Sequence, residues 1–182
     1  MVDLPVKVEN VVASATLGVD IPIEKIVSEA EKIEYDTEHS DGIVLRPGEP
    51  GVAALIYSYG KVVCTGAKSV EKAKDVIRKV VEKMKKRCAD LPAGFDIEIE
   101  NITATSHANT TLDLQKLAGS MQSAEYDPIK LPGLVYRTSD PDVSFLILGN
   151  GKIICSGARS IDEIQRALRK LMAELKKAGA MA

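Results

Sequence analysis

Hydrophobic and polar positions along this chain follow two periods in turn, and the whole sequence of periods is run through twice. Residues 6–14 read as an extended run, after which Ile23, Ile26, Val27 and Ala30 fall at helical spacing. Short runs of strand type follow near residues 43–46, 52–58 and 62–65, with SYGK as a tight hairpin signal between the last two. A long amphipathic helix then carries its apolar stripe on Val70, Ala73, Ile77, Val80 and Met84. The order restarts with an extended run over 97–105, a helix bearing Leu114, Leu117, Ala118 and Met121, and three further short strands around a GNGK turn. A closing helix has its stripe on Ile161, Ile164, Leu168, Leu171 and Leu175, and Ser160 with Glu163 reads as a capping box at its start.

The two halves share residues as well as periods. GKVVCTGAKS at 60–69 and GKIICSGARS at 151–160 agree at six of ten positions and swap like for like at the rest. Asn10 and Asn101, Tyr35 and Tyr126, Arg46 and Arg137, Pro50 and Pro141, Lys61 and Lys152, and Cys64 and Cys155 all keep one spacing of 91, without a gap. A register held across most of each half is an internal duplication, with repeats over 1–91 and 92–182. The joining stretch Leu91-Pro92-Ala93-Gly94 is too short for a free linker, so one pseudo-symmetric unit is expected.

Composition narrows the function classes. A chain of 182 residues that is 45% hydrophobic has enough apolar surface for a buried core. A formal net charge of -2 excludes blanket attraction to a polyanion, so any such binding must use a local patch. Three cysteines, an odd number, do not make a disulfide framework. The start MVDLPVKVEN has no signal-peptide form and no apolar run reaches membrane-spanning length, so a cytoplasmic protein in a reducing compartment, without a membrane partner, is expected. His39 and His107 have no Cys or His at ligand spacing, LGNGKI lacks the upstream glycine and the Ser/Thr of a phosphate loop, and the carboxylates show no acid–base pairing. No metal, no cofactor and no enzymatic activity are expected.

Strand alternation then exposes a problem of coverage. Two helices per half can cover one face of an antiparallel sheet, and Val62, Cys64 and Ile56 point toward that side. The opposite side carries Asn10, Val12, Leu55, Tyr57, Val63 and Thr65, with repeat mates Asn101, Thr103, Leu146, Leu148, Ile154 and Ser156. That face is apolar with a few short polar groups, and no third layer is left to bury it. A β-sandwich between the halves would cover it, but would leave an amide in the middle of the buried face twice over. An exposed apolar patch of this size marks an interaction surface. In the absence of a ligand, a second copy of the chain is one way to cover it.

The residues that carry the duplication also carry a resemblance. The paired EN-VVAS and EN-ITAT, the paired Tyr-Asp, LPGLVYR, and the doubled GK-x-x-C-[TS]-GA-[KR]-S resemble the TATA-box-binding protein family, over almost the whole chain and in its archaeal form. The resemblance implies an α+β fold: one curved, saddle-shaped antiparallel sheet of about ten strands with four helices on its convex side. It implies a general transcription initiation factor that grips the minor groove of A/T-rich, TATA-like double-stranded DNA and recruits transcription factor B and RNA polymerase, in an archaeal, nucleoid-associated setting.

The chemistry agrees with that implication. Over A·T pairs the minor groove offers only acceptors, whereas G·C adds the guanine amino donor. Asn10 and Asn101 can donate to those acceptors, with Thr65, Thr103 and Ser156 assisting. Val12, Leu55, Val63, Leu146 and Ile154 would lie along base edges and leave a guanine amine unpaired, at a cost of roughly 1–3 kcal/mol. Arg46, Lys61 and Lys68, with Arg137, Lys152 and Arg159, form a repeated set of cations suited to phosphates, although a solvated surface explains any one of them equally well.

One family signature is absent. TATA-box-binding proteins are themselves the standard example of minor-groove binders that insert apolar wedges between base steps and kink the duplex. Their four wedge phenylalanines correspond by register to Ser40, Tyr57, Leu131 and Leu148 here. Leu131 and Leu148 keep apolar volume, Tyr57 adds a hydroxyl, and Ser40 is too small to wedge, so weakened or asymmetric kinking is expected. In the second-repeat loop Asp127 matches one of the acids that contact factor B in the family, while Ile129 replaces the other. The competing expectation is a protein-binding adaptor that keeps the saddle and has lost DNA bending.

Overall fold

A computed structural model describes residues 4–27, 33–35 and 42–180 of the chain. Among them are ten strands and four helices: β1 (Lys7–Thr16), α1 (Ile23–Val27), β2 (Ile33–Tyr35), β3 (Gly42–Leu45), β4 (Ala53–Tyr57), β5 (Lys61–Ala67), α2 (Val70–Lys85), β6 (Ile97–His107), α3 (Leu114–Ser120), β7 (Ala124–Glu125), β8 (Gly133–Ser139), β9 (Asp142–Leu148), β10 (Lys152–Ala158) and α4 (Ile161–Lys177). Contacts group into two compact units, one of residues 10–100, the other of the described parts of 1–9 and 101–182.

In the first unit the antiparallel strand order is β2-β3-β4-β5-β1. Periodicity alone finds four of these five; β2, three residues long, is too short for alternation to register. Helix α2 packs on β4 and β5, and α1 on β3. The alternation predicted for the strands is borne out: Ile43, Ala54, Ile56, Val62 and Cys64 are buried, while Val44, Leu55, Tyr57, Val63 and Thr65 between or beside them are half-exposed. Helix α2 buries Ala73, Val76, Ile77, Val80, Val81 and Met84. Each of the valine, isoleucine and methionine side chains contributes about 1.5–3 kcal/mol by leaving water. Its N-cap is Ser69, whose hydroxyl oxygen accepts from the Lys72 N–H at 3.1 Å. Ala30, assigned above to the first helix, lies outside the described residues.

The second unit repeats the order as β6-β10-β9-β8-β7, with α4 on β8 and β10 and α3 on β7 and β8. Its core is Leu134, Phe145, Ile147, Ile153 and Cys155 from the sheet against Ile164, Leu168, Leu171 and Leu175 from α4. Ile161 departs from its expected place on the apolar stripe. It is 40% exposed, because it opens the first turn of α4 rather than lying over the sheet. The Ser160 hydroxyl caps the Glu163 N–H at 3.2 Å as expected, but the Glu163 carboxylate takes the N–H of Arg159 at 2.7 Å, one residue before the cap.

Candidate nucleic-acid interface

In each unit, the sheet face opposite the helices carries half-exposed residues in cross-strand rows. Val44, Leu55 and Val63 are paired across β3, β4 and β5, and the row ends on Ser14 of β1. Val135, Leu146 and Ile154 form the matching row across β8, β9 and β10, ending on Thr105 of β6. Direct cross-strand neighbours lie within side-chain contact, so each row is a continuous apolar strip. Val44 and Val135 were passed over in the sequence reading. The spacing of 91 between GIVLR and GLVYR, with alternation through each, was the signal that would have found them.

Both asparagines are held by the same device. Between β1 and β5 the register slips, so that β5 has one residue more than β1 between the pairs Val11–Ala67 and Ala13–Cys64. Between β6 and β10 the slip recurs between Cys155 and Ala158. Such a bulge leaves an unpaired backbone group, and a glycine with positive φ accommodates it. Gly66 and Gly157 sit there at φ 87° and 111°. The Gly66 N–H donates to Asn10 Oδ1 at 2.6 Å, and the Gly157 N–H to Asn101 Oδ1 at 2.7 Å. Because only the amide oxygen can accept, the donor fixes which way each amide points, leaving its NH2 as the outward group.

Around Asn101 the polar groups converge. Its Nδ2 donates to Ser156 Oγ at 3.2 Å and to Thr103 Oγ1 at 3.4 Å. The first half has Val12 where the second has Thr103, and a valine supplies no acceptor. Asn10, Val12, Thr65, Asn101, Thr103 and Ser156 are all half-exposed.

A second paired device lies beside the asparagines. Ser14 Oγ donates to Glu100 Oε1 at 2.5 Å, and Thr105 Oγ1 donates to Glu9 Oε1 at 3.0 Å. Each hydroxyl and each carboxylate is the other's repeat mate by the spacing of 91. Lys61 approaches Glu100 at 3.8 Å and Lys7 approaches Glu9 at 3.2 Å, so the two carboxylates have cations at hand. The glutamate immediately before each asparagine was the available signal, and it went unused.

The cations expected to meet phosphates lie at the surface. Arg46, Lys68, Arg137, Lys152 and Arg159 are exposed and Lys61 is half-exposed. Lys61 is drawn toward Glu100, and the Arg137 guanidinium donates to Ser144 Oγ at 3.2 Å.

Of the four wedge positions, Ser40 lies outside the described residues, as does His39. Tyr57 ends β4 directly opposite Gly42, and Leu148 ends β9 opposite Gly133. A Cβ on Gly42 would stand 3.1 Å from Tyr57 Cδ1, and one on Gly133 2.9 Å from Leu148 Cδ2. The Tyr57 and Leu148 side chains therefore each lie over a strand position that has no side chain of its own. Leu131 is 44% exposed in the stretch between β7 and β8. In that stretch Asp127 accepts the Ile129 N–H at 3.1 Å and pairs with Lys130 at 3.4 Å, while the Ile129 side chain is 95% exposed.

Cys64 and Cys155 are buried among apolar neighbours. Burial, with the charge of Glu49 second, pushes the Cys64 thiol up to about 11, and burial likewise raises Cys155. Among the described residues no group of three or more His, Cys, Asp or Glu is arranged to hold a metal ion. No described helix is long and apolar enough to cross a membrane.

Comparison with known proteins bears on the same residues. The family model for transcription factor TFIID (or TATA-binding protein, TBP) matches twice, at residues 5–87 and 96–178, the second match beginning and ending 91 residues after the first. A TATA-box-binding protein of Methanothermobacter thermautotrophicus is 41% identical over 175 residues, covering 96% of this chain and 97% of that one. One of Archaeoglobus fulgidus is 37% identical over 183 residues and covers both chains fully. The solved structure of Methanococcus jannaschii TBP superposes with a TM-score of 0.85 at 39% identity, over 94% of this chain and 98% of that one. The antiparallel α+β fold implied by the resemblance is thereby established, and the likeness is to non-enzymatic transcription factors. The chain belongs to the TATA-box-binding protein family.

Proposed function

We propose that this protein is a general transcription initiation factor that lays the helix-free sheet faces of its two repeats, 1–91 and 92–182, into the minor groove of A/T-rich, TATA-like promoter DNA. The observation that carries the reading is the doubled asparagine. Two amides, each turned by a bulge glycine so that its NH2 faces outward, sit among apolar rows that offer a guanine amine no acceptor. The Asn101 NH2 donates to the Ser156 and Thr103 hydroxyls at 3.2 and 3.4 Å, and in this reading it exchanges one of these long bonds for adenine N3 or thymine O2 when the duplex is bound. Arg46, Lys61, Lys68, Arg137, Lys152 and Arg159 supply the sequence-independent contacts to phosphate.

Kinking in this reading is unequal at the two ends. Leu131 and Leu148 wedge at the second-repeat end, while Tyr57 replaces a pair of rings at the first. The bent duplex is then presented to transcription factor B and RNA polymerase. Asp127 remains in the loop that would meet factor B, with its carboxylate partly committed to Ile129 and Lys130.

The missing phenylalanines favour a second reading, in which the fold serves as a protein-binding adaptor that no longer bends DNA. A gel-shift series over salt separates the two. Minor-groove binding with phosphate neutralisation gives an affinity that falls steeply as salt rises, whereas the adaptor shows no specific retardation of a TATA-like duplex at any salt.

A further inference from the structure

The first repeat lacks one wedge ring by sequence, and the structure holds a spare ring beside the one that remains. Tyr57 and Tyr59 stack with centroids 5.3 Å apart and planes at 24°. Tyr59 is 56% exposed, although large hydrophobic side chains are mostly buried among the described residues. It does not ride on a loose loop. The Gly60 N–H donates to Tyr57 O at 3.0 Å across the turn, Leu17 N–H to Gly60 O at 2.8 Å, and Ile21 N–H to Ser58 O at 2.6 Å. The backbone on both sides of Tyr59 is therefore pinned, and the ring is kept exposed by construction.

The arrangement is confined to the half that needs it. The repeat mate of Tyr59 is Asn150, which has no ring and spends its Oδ1 on the Lys152 N–H at 3.0 Å. That half keeps two apolar side chains at its wedge positions, Leu131 and Leu148. The first keeps only Tyr57, since serine at position 40 has no surface on which a base can stack.

We infer that Tyr59 is the second ring of the first-repeat wedge, stacking with Tyr57 to present a two-ring edge to the terminal base step of the bound duplex. The inference rests on the DNA-binding reading above. An aromatic face stacks on any base, and the phenolic tips keep their hydroxyls at the wet edge of the groove. Such a wedge enters from a position two residues after the one used by the family pattern, so the step it opens at this end differs in depth from a two-phenylalanine wedge.

The test uses the full chain, Tyr59→Asn and Tyr59→Phe variants, and a TATA-like duplex carrying 2-aminopurine in turn near either end. Loss of one base–aromatic stack predicts roughly a tenfold rise in Kd for Tyr59→Asn. It also predicts loss of the unstacking fluorescence at one end of the duplex only, with both properties retained by Tyr59→Phe. Equal affinity and equal fluorescence for Tyr59→Asn and the parent would overturn the inference while leaving DNA binding intact. Failure of the parent itself to bind the duplex would overturn the DNA-binding reading, and this inference with it. Thermal melting of both variants, expected to match the parent because the side chain is largely in solvent, excludes misfolding as the cause.

Discussion

The N–H of Gly157 donates to Asn101 Oδ1 at 2.7 Å, and the matching bond from Gly66 to Asn10 measures 2.6 Å. A bulge that leaves a backbone donor without a ladder partner and an amide that faces outward are thus one feature, built twice. Binding and stability therefore separate in a particular way at these two positions.

Asn101→Asp keeps an acceptor for Gly157 but removes the outward donor and adds a negative charge where phosphate and base acceptors approach. We expect a near-parental melting temperature and loss of duplex binding. Asn101→Ala loses both roles, and since the exposed Gly157 N–H turns to water the lost bond costs about 0.5–1.5 kcal/mol of stability. Chemical denaturation alongside a gel shift distinguishes the two variants.

Gly133 lies opposite Leu148, and a Cβ there would stand 2.7 Å from the Ile147 carbonyl oxygen and 2.8 Å from Leu146 Cδ1. Gly133→Ala should destabilise the fold by about 1–3 kcal/mol through overpacking. It should also displace two residues of the proposed groove face, so duplex affinity falls further than the lost stability accounts for. Denaturant midpoints and Kd measured on the same preparation check both effects.

Lys61 and Lys152 are repeat mates, but Lys61 approaches Glu100 at 3.8 Å. Lys152→Ala should weaken binding alike on all sequences and reduce the slope of log K against log salt by about 1. Lys61→Ala should have a smaller effect, since Glu100 already offsets part of its charge. Glu100→Gln should raise affinity for the same reason.

The Cys64 thiol is raised from its ordinary 9.0 to about 11, chiefly by burial. The folded state therefore holds this proton more tightly than the unfolded one. The resulting stability is fully present below the unfolded value and is lost as pH rises through about 11. Cys64→Val should flatten that alkaline decline in a pH series of melting curves, and at neutral pH the folded protein should react with thiol reagents only on unfolding.

Much of this was legible in the sequence because the duplication gave each inference a second copy. Alternation in ALIY and VVCT sorted the groove-facing residues from the buried ones, and the spacing of 91 transferred the assignment to the other half. What escaped had local physical causes. Strands of three and two residues, Ile33–Tyr35 and Ala124–Glu125, are too short to show a period. Ile161 fits the helical stripe, but periodicity does not say where the cover of the sheet ends. The bulges at Gly66 and Gly157 are register slips between strands distant in sequence, so the asparagines could be read as donors without a view of what aims them. Likewise, the spacing of Tyr57 and Tyr59 along the chain does not show that their rings stack.

The most direct test of the minor-groove claim exchanges base pairs without changing what that groove displays. Inosine·cytosine lacks the guanine amine and presents A·T-like acceptors in the minor groove while altering the major groove. On a TATA-like duplex, the parent protein should bind the inosine-substituted site as tightly as the original, and should lose roughly tenfold or more for each guanine·cytosine pair at the centre, where an unpaired amine is buried. Equal weakening by inosine and guanine would place the readout in the major groove and contradict the account.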